Sequence, residues 1–127
     1  MARNAVEAVL AFLEAINAHD VDRLLSLMTE DHAFIDSLGK RVEGRDKMRA
    51  AWSGYFAFCP DYRVSHEVIV SDGILVLTTG TAGGTIAGNR WEIPAAWKAV
   101  VNDGLLREWR VYADNKPVYD ILAKQGK

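Results

Sequence analysis

Asp36 is the residue on which chemistry in this chain would turn. It ends the run His32-Ala33-Phe34-Ile35-Asp36, directly before Ser37-Leu38-Gly39. Read as a strand, that run puts His32, Phe34 and Asp36 on one face and Ala33 and Ile35 on the other. If the Phe34 face packs inward, Asp36 goes with it, and a carboxylate buried there without a partner is a general-base candidate. An Asp before such a turn also caps it with its own side-chain oxygen. Local sequence weighs the two readings evenly. His32 and Asp36 could pair or share a metal, but a metal centre needs three or more ligands. His19 and His66 stand at no matching spacing, so no metal is expected. His66 alternates with Val64, Val68 and Val70 and reads as a core-edge histidine. Cys59, beside aromatics, reads as a small buried hydrophobe. The Gly80–Gly88 stretch lacks the Gly-Lys-Ser/Thr ending and following helix of a phosphate loop, and no Gly-x-Ser-x-Gly elbow occurs.

The elements that would position Asp36 follow from periodicity. Val6, Val9, Leu10, Leu13 and Ile16 predict a helix over 3–18, with Phe12 on the flank of its stripe. Asp20 is an N-cap for a short second helix whose apolar face is Leu24, Leu25 and Met28, ending at Thr29-Glu30-Asp31. A third helix over 45–57 follows Gly44 and puts Met48, Trp52, Tyr55 and Phe56 on one side. Four strand runs cover 62–71, 74–86, 91–101 and 105–113. Turn signals lie between them at Asp72-Gly73, Ala87-Gly88-Asn89 and Asn102-Asp103-Gly104. Gly80, Gly83 and Gly84 mark a bend or bulge. Asp114 caps a final helical turn that Pro117 limits. This is an α+β order, with helices on one side of a mostly antiparallel sheet. Trp91, Ile93, Ala95, Trp97, Ala99 and Val101 share a face of the third run; Leu105, Arg107, Trp109, Val111 and Ala113 share one of the last. A curved sheet closed by the helices makes a cone in which Trp52 meets Trp91, Trp97 and Trp109. Such a cluster is either a ligand pocket or a plain core.

Composition narrows the classes. With 15 basic and 17 acidic residues, a formal charge of −2 and no Lys/Arg cluster, there is no footprint for nucleic acid or an anionic membrane. No apolar run is long enough to span a bilayer. Glu7 and Glu14 break the apolar core that a signal peptide would need, so the first helix is expected to stay. A single cysteine excludes an intrachain disulfide and suits a reducing cytoplasm. A length of 127 residues fits one domain over 1–127.

Five segments carry a resemblance: Asn17-Ala18-His19-Asp20, Leu24 to Met28, Thr29 to Asp36, Gly44 to Met48, and Asp103 to Asp114. Across nearly its whole length the chain resembles the SnoaL-like members of the nuclear transport factor two-like superfamily. That group also holds ketosteroid isomerase and limonene epoxide hydrolase. The resemblance implies a cone-shaped, cystatin-like roll. It places Asp36 where ketosteroid isomerase has its general-base aspartate. Phe12 and Trp52 fall where that enzyme has pocket tyrosines, and its protonated aspartate falls near Trp97. Val111, between Arg110 and Tyr112, stands where limonene epoxide hydrolase has an aspartate. The base is kept while the other polar groups are replaced.

The implied function is a cofactor-independent isomerase, cyclase or lyase. Asp36 would act on a hydrophobic carbonyl compound, with the indole of Trp97 or Trp109, or Tyr55, donating to the oxyanion. The expected ligand contacts are Phe12, Ile16, His32, Phe34, Trp52 and Tyr55, together with Phe56, Trp91, Trp97, Trp109 and Val111. The rival reading is a non-catalytic module that binds a hydrophobic ligand or dimerises. The resemblance further implies a homodimer through the outward sheet face, where Val100 and Tyr112 mix with Lys98 and Arg110.

Overall fold

The computed structural model describes residues 4–125. Two helices, α1 (Ala5–Ala18) and α2 (Val21–Ser26), lead into a strand, β1 (Met28–Ile35), paired with the short β2 (Arg41–Glu43). Then come α3 (Arg45–Phe58), β3 (Arg63–Asp72), β4 (Leu75–Ile86), β5 (Asn89–Asn102), β6 (Leu105–Ala113) and α4 (Lys116–Gln125). The strands form one sheet in the order β2-β1-β6-β5-β4-β3. All neighbours are antiparallel except β1 and β6, which run parallel. The α+β class expected from the sequence is the one observed. No helix among the described residues is long and apolar enough to cross a membrane.

α1 starts at a capping box: Asn4 Oδ1 accepts from the Glu7 amide at 2.8 Å, and the Asn4 amide donates to Glu7 Oε1 at 3.1 Å. Residue 3 of the predicted helix lies outside the described residues. Of the stripe read from periodicity, Val9, Leu13 and Ile16 are buried against the concave face of the sheet while Val6 and Leu10 are half-buried, and Phe12, expected on the flank, is fully buried. α1 stops where His19 enters the left-handed region at φ 54°. Its end is then stapled to β3. Asn17 Nδ2 donates to the Val64 carbonyl at 2.9 Å, while its Oδ1 accepts from the Val64 amide at 2.8 Å. Because β3 is an edge strand, Asn17 supplies what a neighbouring strand would. His19 Nε2–H donates to the Tyr62 carbonyl at 2.8 Å, and its ring stacks on Phe56 at 4.2 Å.

Five local expectations are corrected. Thr29-Glu30-Asp31 does not end α2 but lies in β1, with Glu30 and Asp31 exposed. Charge there marks a solvated strand segment rather than a helix end. His66 is exposed rather than at a core edge, because a register shift between His66 and Val68 breaks the alternation of β3. Strict alternation also fails in β6. Val100 pairs with Glu108 but Val101 with Leu106, so Arg107 is an extra, bulged residue. Leu106 is therefore fully buried while Arg107 is exposed. α4 is a ten-residue helix, not a single turn. Asp114 Oδ1 accepts from the Lys116 amide at 3.0 Å, and Pro117 sits in the first turn, where a missing N–H costs nothing. β2, only three residues long and charged at both ends, carries no strand signal in the sequence.

Candidate active site

One cavity of about 300 Å³ opens between the concave sheet face, α3 and the start of α4. Its longest wall is β5, where alternation sends Trp91, Ile93, Ala95 and Trp97 inward. β6 adds Trp109, Val111 and Ala113, β1 adds Phe34, and β4 adds Ala82. α3 contributes Ala51, Trp52 and Tyr55, with Tyr62 beside them from the loop before β3. Asp36, Ser37 and Asn115 form the polar lip. Among the described residues, no Lys, Arg or His lines the cavity.

The aromatic walls are mutually packed. Trp97 and Trp109 stack with centroids 6.1 Å apart and planes 18° apart. Trp52 meets Phe34 edge-on at 5.9 Å. Tyr55 meets Tyr62 edge-on at 4.7 Å, and Tyr62 stacks with Trp91 at 6.1 Å. Burial pushes the Tyr55 phenol well above its usual range, and the nearby Cys59 thiol adds to the shift. Burial does the same to Tyr62, reinforced by Tyr55 and then Cys59. Both phenols therefore keep their protons at neutral pH. The Cys59 thiol is raised by burial as well and points toward Asp61 at 3.7 Å, so it is no nucleophile.

Asp36 is half-buried. Its Oδ1 accepts from the amides of Leu38 and Lys40, each at 2.9 Å. Its backbone closes the same turn, donating to the Lys40 carbonyl at 3.0 Å and accepting from the Gly39 amide at 2.9 Å. Gly39, at φ 85°, supplies the conformation the turn needs. The carboxylate is thus a turn cap and a cavity-lining group at once. It is not burial without a partner: one oxygen is held, and the other has no hydrogen-bond partner among the described residues. Beside it, Asn115 Nδ2 donates to Ser37 Oγ at 2.7 Å and ties the entry of α4 to the same lip.

Of the expected contacts, Phe34, Trp52, Tyr55, Trp91, Trp97, Trp109 and Val111 border this cavity together with Asp36. Phe12, Ile16, His32 and Phe56 do not, because they form the layer behind it. Phe12 is fully buried against Trp109 at 4.8 Å and Trp52 at 6.2 Å. Phe56 backs Trp52 at 5.6 Å, and Ile16 lies in the α1 core. Sequence reasoning missed Ser37, Ala51, Tyr62, Ala82, Ala113 and Asn115, and also Ile93 and Ala95. The last two share a strand face with Trp91 and Trp97 and are readable from it.

His32 is fully buried; its Nδ1–H donates to the Leu106 carbonyl at 2.7 Å and its Nε2 has no partner among the described residues. Burial lowers its pKa from 6.5, against a smaller raising effect of that hydrogen bond. The unfolded chain therefore takes up a proton that the folded chain refuses. Its contribution to stability is present above about pH 6.5 and is lost as pH falls below that value. A melting temperature that falls between about pH 7 and about pH 5, with a shallower fall in His32→Gln, is the expected result. An unchanged slope in the variant would assign the acid sensitivity elsewhere.

The chain matches the SnoaL-like domain over residues 9–109. No curated protein matches it in sequence. Among solved structures, an LEH-like epoxide hydrolase of M. tuberculosis is 27% identical with a TM-score of 0.79, covering 94% of this chain and 86% of that one. A protein assigned as a SnoaL-like polyketide cyclase from Jannaschia sp. CCS1 is 22% identical with a TM-score of 0.81, covering 91% and 88%. A protein of ketosteroid isomerase-like fold from Catenulispora acidiphila, solved with trimethylamine, is 20% identical with a TM-score of 0.77, covering 84% of each chain. The fold, the order of its elements and the domain match together show that this chain belongs to the SnoaL-like domain family.

Proposed function

We propose that the cavity holds a small, flat, largely apolar carbonyl compound and that Asp36 removes a proton from the carbon next to the carbonyl. One observation carries this reading. Asp36 is the sole carboxylate among the described residues lining an otherwise apolar cavity, and two backbone amides fix its position while one oxygen stays free. In the step, the free oxygen takes the proton and the C–H electron pair moves into an enolate. Return of the proton to a different carbon completes an isomerisation; attack of the enolate on a second carbonyl completes a cyclisation. Water activation at an epoxide by two acids is disfavoured, because the described lining holds no second carboxylate.

The test uses a nitrobenzisoxazole, whose ring opens when a base removes its C–H proton, cleaving N–O and releasing a coloured phenolate. Wild-type protein should open it and Asp36→Asn should not. Equal rates, with binding retained, would favour the second reading, a ligand-binding module in which Asp36 serves only its turn. The buried, protonated Cys59 suits a reducing cytoplasm.

The proposed partner on the convex face is a second copy of the chain. Two cross-strand rows there are exposed and apolar at one end. Val70 lies beside Leu77 and then Lys98 and Arg110, and Val68 lies beside Thr79 and then Ala96 and Tyr112. Val68, Val70, Leu77 and Tyr112 are 44–55% exposed. Light scattering at micromolar concentration should give twice the chain mass, and Val70→Lys with Leu77→Lys should halve it. A wild-type monomer would refute this.

A further inference from the structure

We propose that Ser37 and Asn115 together hold the oxygen of the enolate that forms when Asp36 removes its proton. This rests on the reading that Asp36 is a base acting next to a carbonyl, and that reading fixes where the oxygen must be. The reacting carbon lies about 3–3.5 Å from the base, and the carbonyl carbon is bonded directly to it. The enolate oxygen therefore forms within about 6 Å of the carboxylate. Ser37 follows Asp36 in the chain, so their Cα atoms are about 3.8 Å apart, and both residues line the cavity. Asn115 Nδ2 donates to Ser37 Oγ at 2.7 Å, which brings a residue from the entry of α4 to the same place. A peptide bond and a hydrogen bond thus tie this pair of donors to Asp36. Trp97, Trp109 and Tyr55, the donors expected from the sequence, belong to the packed aromatic wall. None of the three has a hydrogen bond to the lip among the described residues.

The pair has donors to spare. Asn115 Nδ2 carries two protons and Ser37 Oγ carries one. The bond between them uses one amide proton. The other amide proton and the hydroxyl proton have no acceptor among the described residues. A hydroxyl that itself accepts a hydrogen bond is polarised and donates more strongly. Neutral hydroxyls and amides also accept, so the pair does not select the resting ligand. It acts where charge develops, because an enolate oxygen only accepts. Charge balance points the same way. In the step Asp36 becomes a neutral acid and the negative charge passes to the enolate oxygen. Among the described residues no cation lines the cavity, and its walls beyond the lip are mostly aromatic and aliphatic. Charge carried in among them would lose water without gaining a counter-charge. Held by Ser37 and Asn115, it stays at the half-buried lip.

The experiment follows 2-tetralone in heavy water by proton NMR. The base takes the C–H proton, the enolate forms, the carboxyl exchanges with solvent, and deuterium returns to the carbon. Ser37→Ala should lower kcat for this exchange by about tenfold to a hundredfold, near the low end for a lost oxyanion donor because the lip is open to water. KM should move by less than about twofold, since the lost bond belongs to the transition state. Ser37→Thr, which keeps the hydroxyl, should restore most of the rate. Asn115→Leu removes the other donor and should cost about tenfold. The midpoint of the pH profile of kcat/KM reports the base of the free protein and should stay where it is in Ser37→Ala. A midpoint that moves with the rate would mean that Ser37 acts on Asp36 rather than on the oxyanion, and would overturn the proposal. Should Ser37→Ala not fold, Asn115→Leu is read in its place by the same criteria. Full exchange in both variants, with exchange lost in Asp36→Asn, would overturn the proposal and leave the base reading intact. No exchange in wild-type protein would overturn both.

Discussion

Asp36→Asn is expected to slow carbon-acid deprotonation in the cavity by about a hundredfold to ten-thousandfold, the usual worth of a positioned general base. It should leave the melting temperature within about 2 °C of wild type, since well under 1 kcal/mol is at stake. The two effects separate because the carboxylate has two jobs on two oxygens. Oδ1 holds the Leu38 and Lys40 amides, and an asparagine carbonyl still accepts from both, as a weaker, uncharged acceptor at an exposed turn. The free oxygen becomes an amide nitrogen with no basicity. Asp36→Ala removes both jobs and should cost about 1 kcal/mol, in line with other lost side-chain caps, or about 4 °C. Turnover assays and thermal melts on the two variants check this. Turnover that persists in Asp36→Asn would leave the cavity without its base.

The largest loss of stability is expected from Gly80→Ala. Gly80 pairs with His66 of the edge strand β3 on one side and Ala95 of β5 on the other. A Cβ there would run into the Ser65 carbonyl oxygen and lie 2.8 Å from the Ser65 carbonyl carbon and 2.9 Å from His66 Cα. These are backbone atoms, so no side-chain rotation relieves the clash. β3 is already irregular here, with its shift in register just after His66. The strand pair must part or the bulge must move, at a cost of about 3 kcal/mol or more, which is about 10 °C in melting temperature. Gly54→Ala is the internal control. Gly54 lies in α3, and an added methyl would meet nothing within 4 Å, so alanine should stabilise by about 0.5–1 kcal/mol. Equal melting temperatures for Gly80→Ala and wild type would show that the sheet has more slack at the bulge than these distances allow.

How far the fold is legible in the sequence depends on whether a signal is local. The inward row of β5 is legible because seven residues from Trp91 to Trp97 keep strict alternation against one buried face. The capping side chains of Asp20, the N-cap of α2, and Asp114, just before α4, are legible because each binds an amide within three residues of itself. The inversion at Leu106 is not, since the bulge that excludes Arg107 is defined by pairing with β5. β1 reads too short because Glu30 and Asp31 look like a helix end, while their strand character comes from partners far along the chain. The cavity divides in the same way. Its tryptophans and Asp36 stand out by type. Tyr62 does not, because its inward pose depends on His19, more than forty residues earlier. Asn115 does not, because its place at the lip is set by Ser37, 78 residues earlier. Asn17-Ala18-His19-Asp20 reads as the end of a helix; two of its side chains turn out to be the clasp between that helix and the edge strand.

The parallel pairing of β1 with β6 sets a condition on biosynthesis. β1 is complete at Ile35, yet its one long neighbour among the described residues spans Leu105–Ala113. While the intervening chain is still inside the ribosome, Phe34 and the α1 stripe have no wall to pack against. Loop closure over such a separation is slow and follows the local hairpins of β3 to β6. A nascent chain arrested before β6 emerges should accordingly be open to protease within its first forty residues and recruit holdase chaperones there. One that has cleared β6 should resist both.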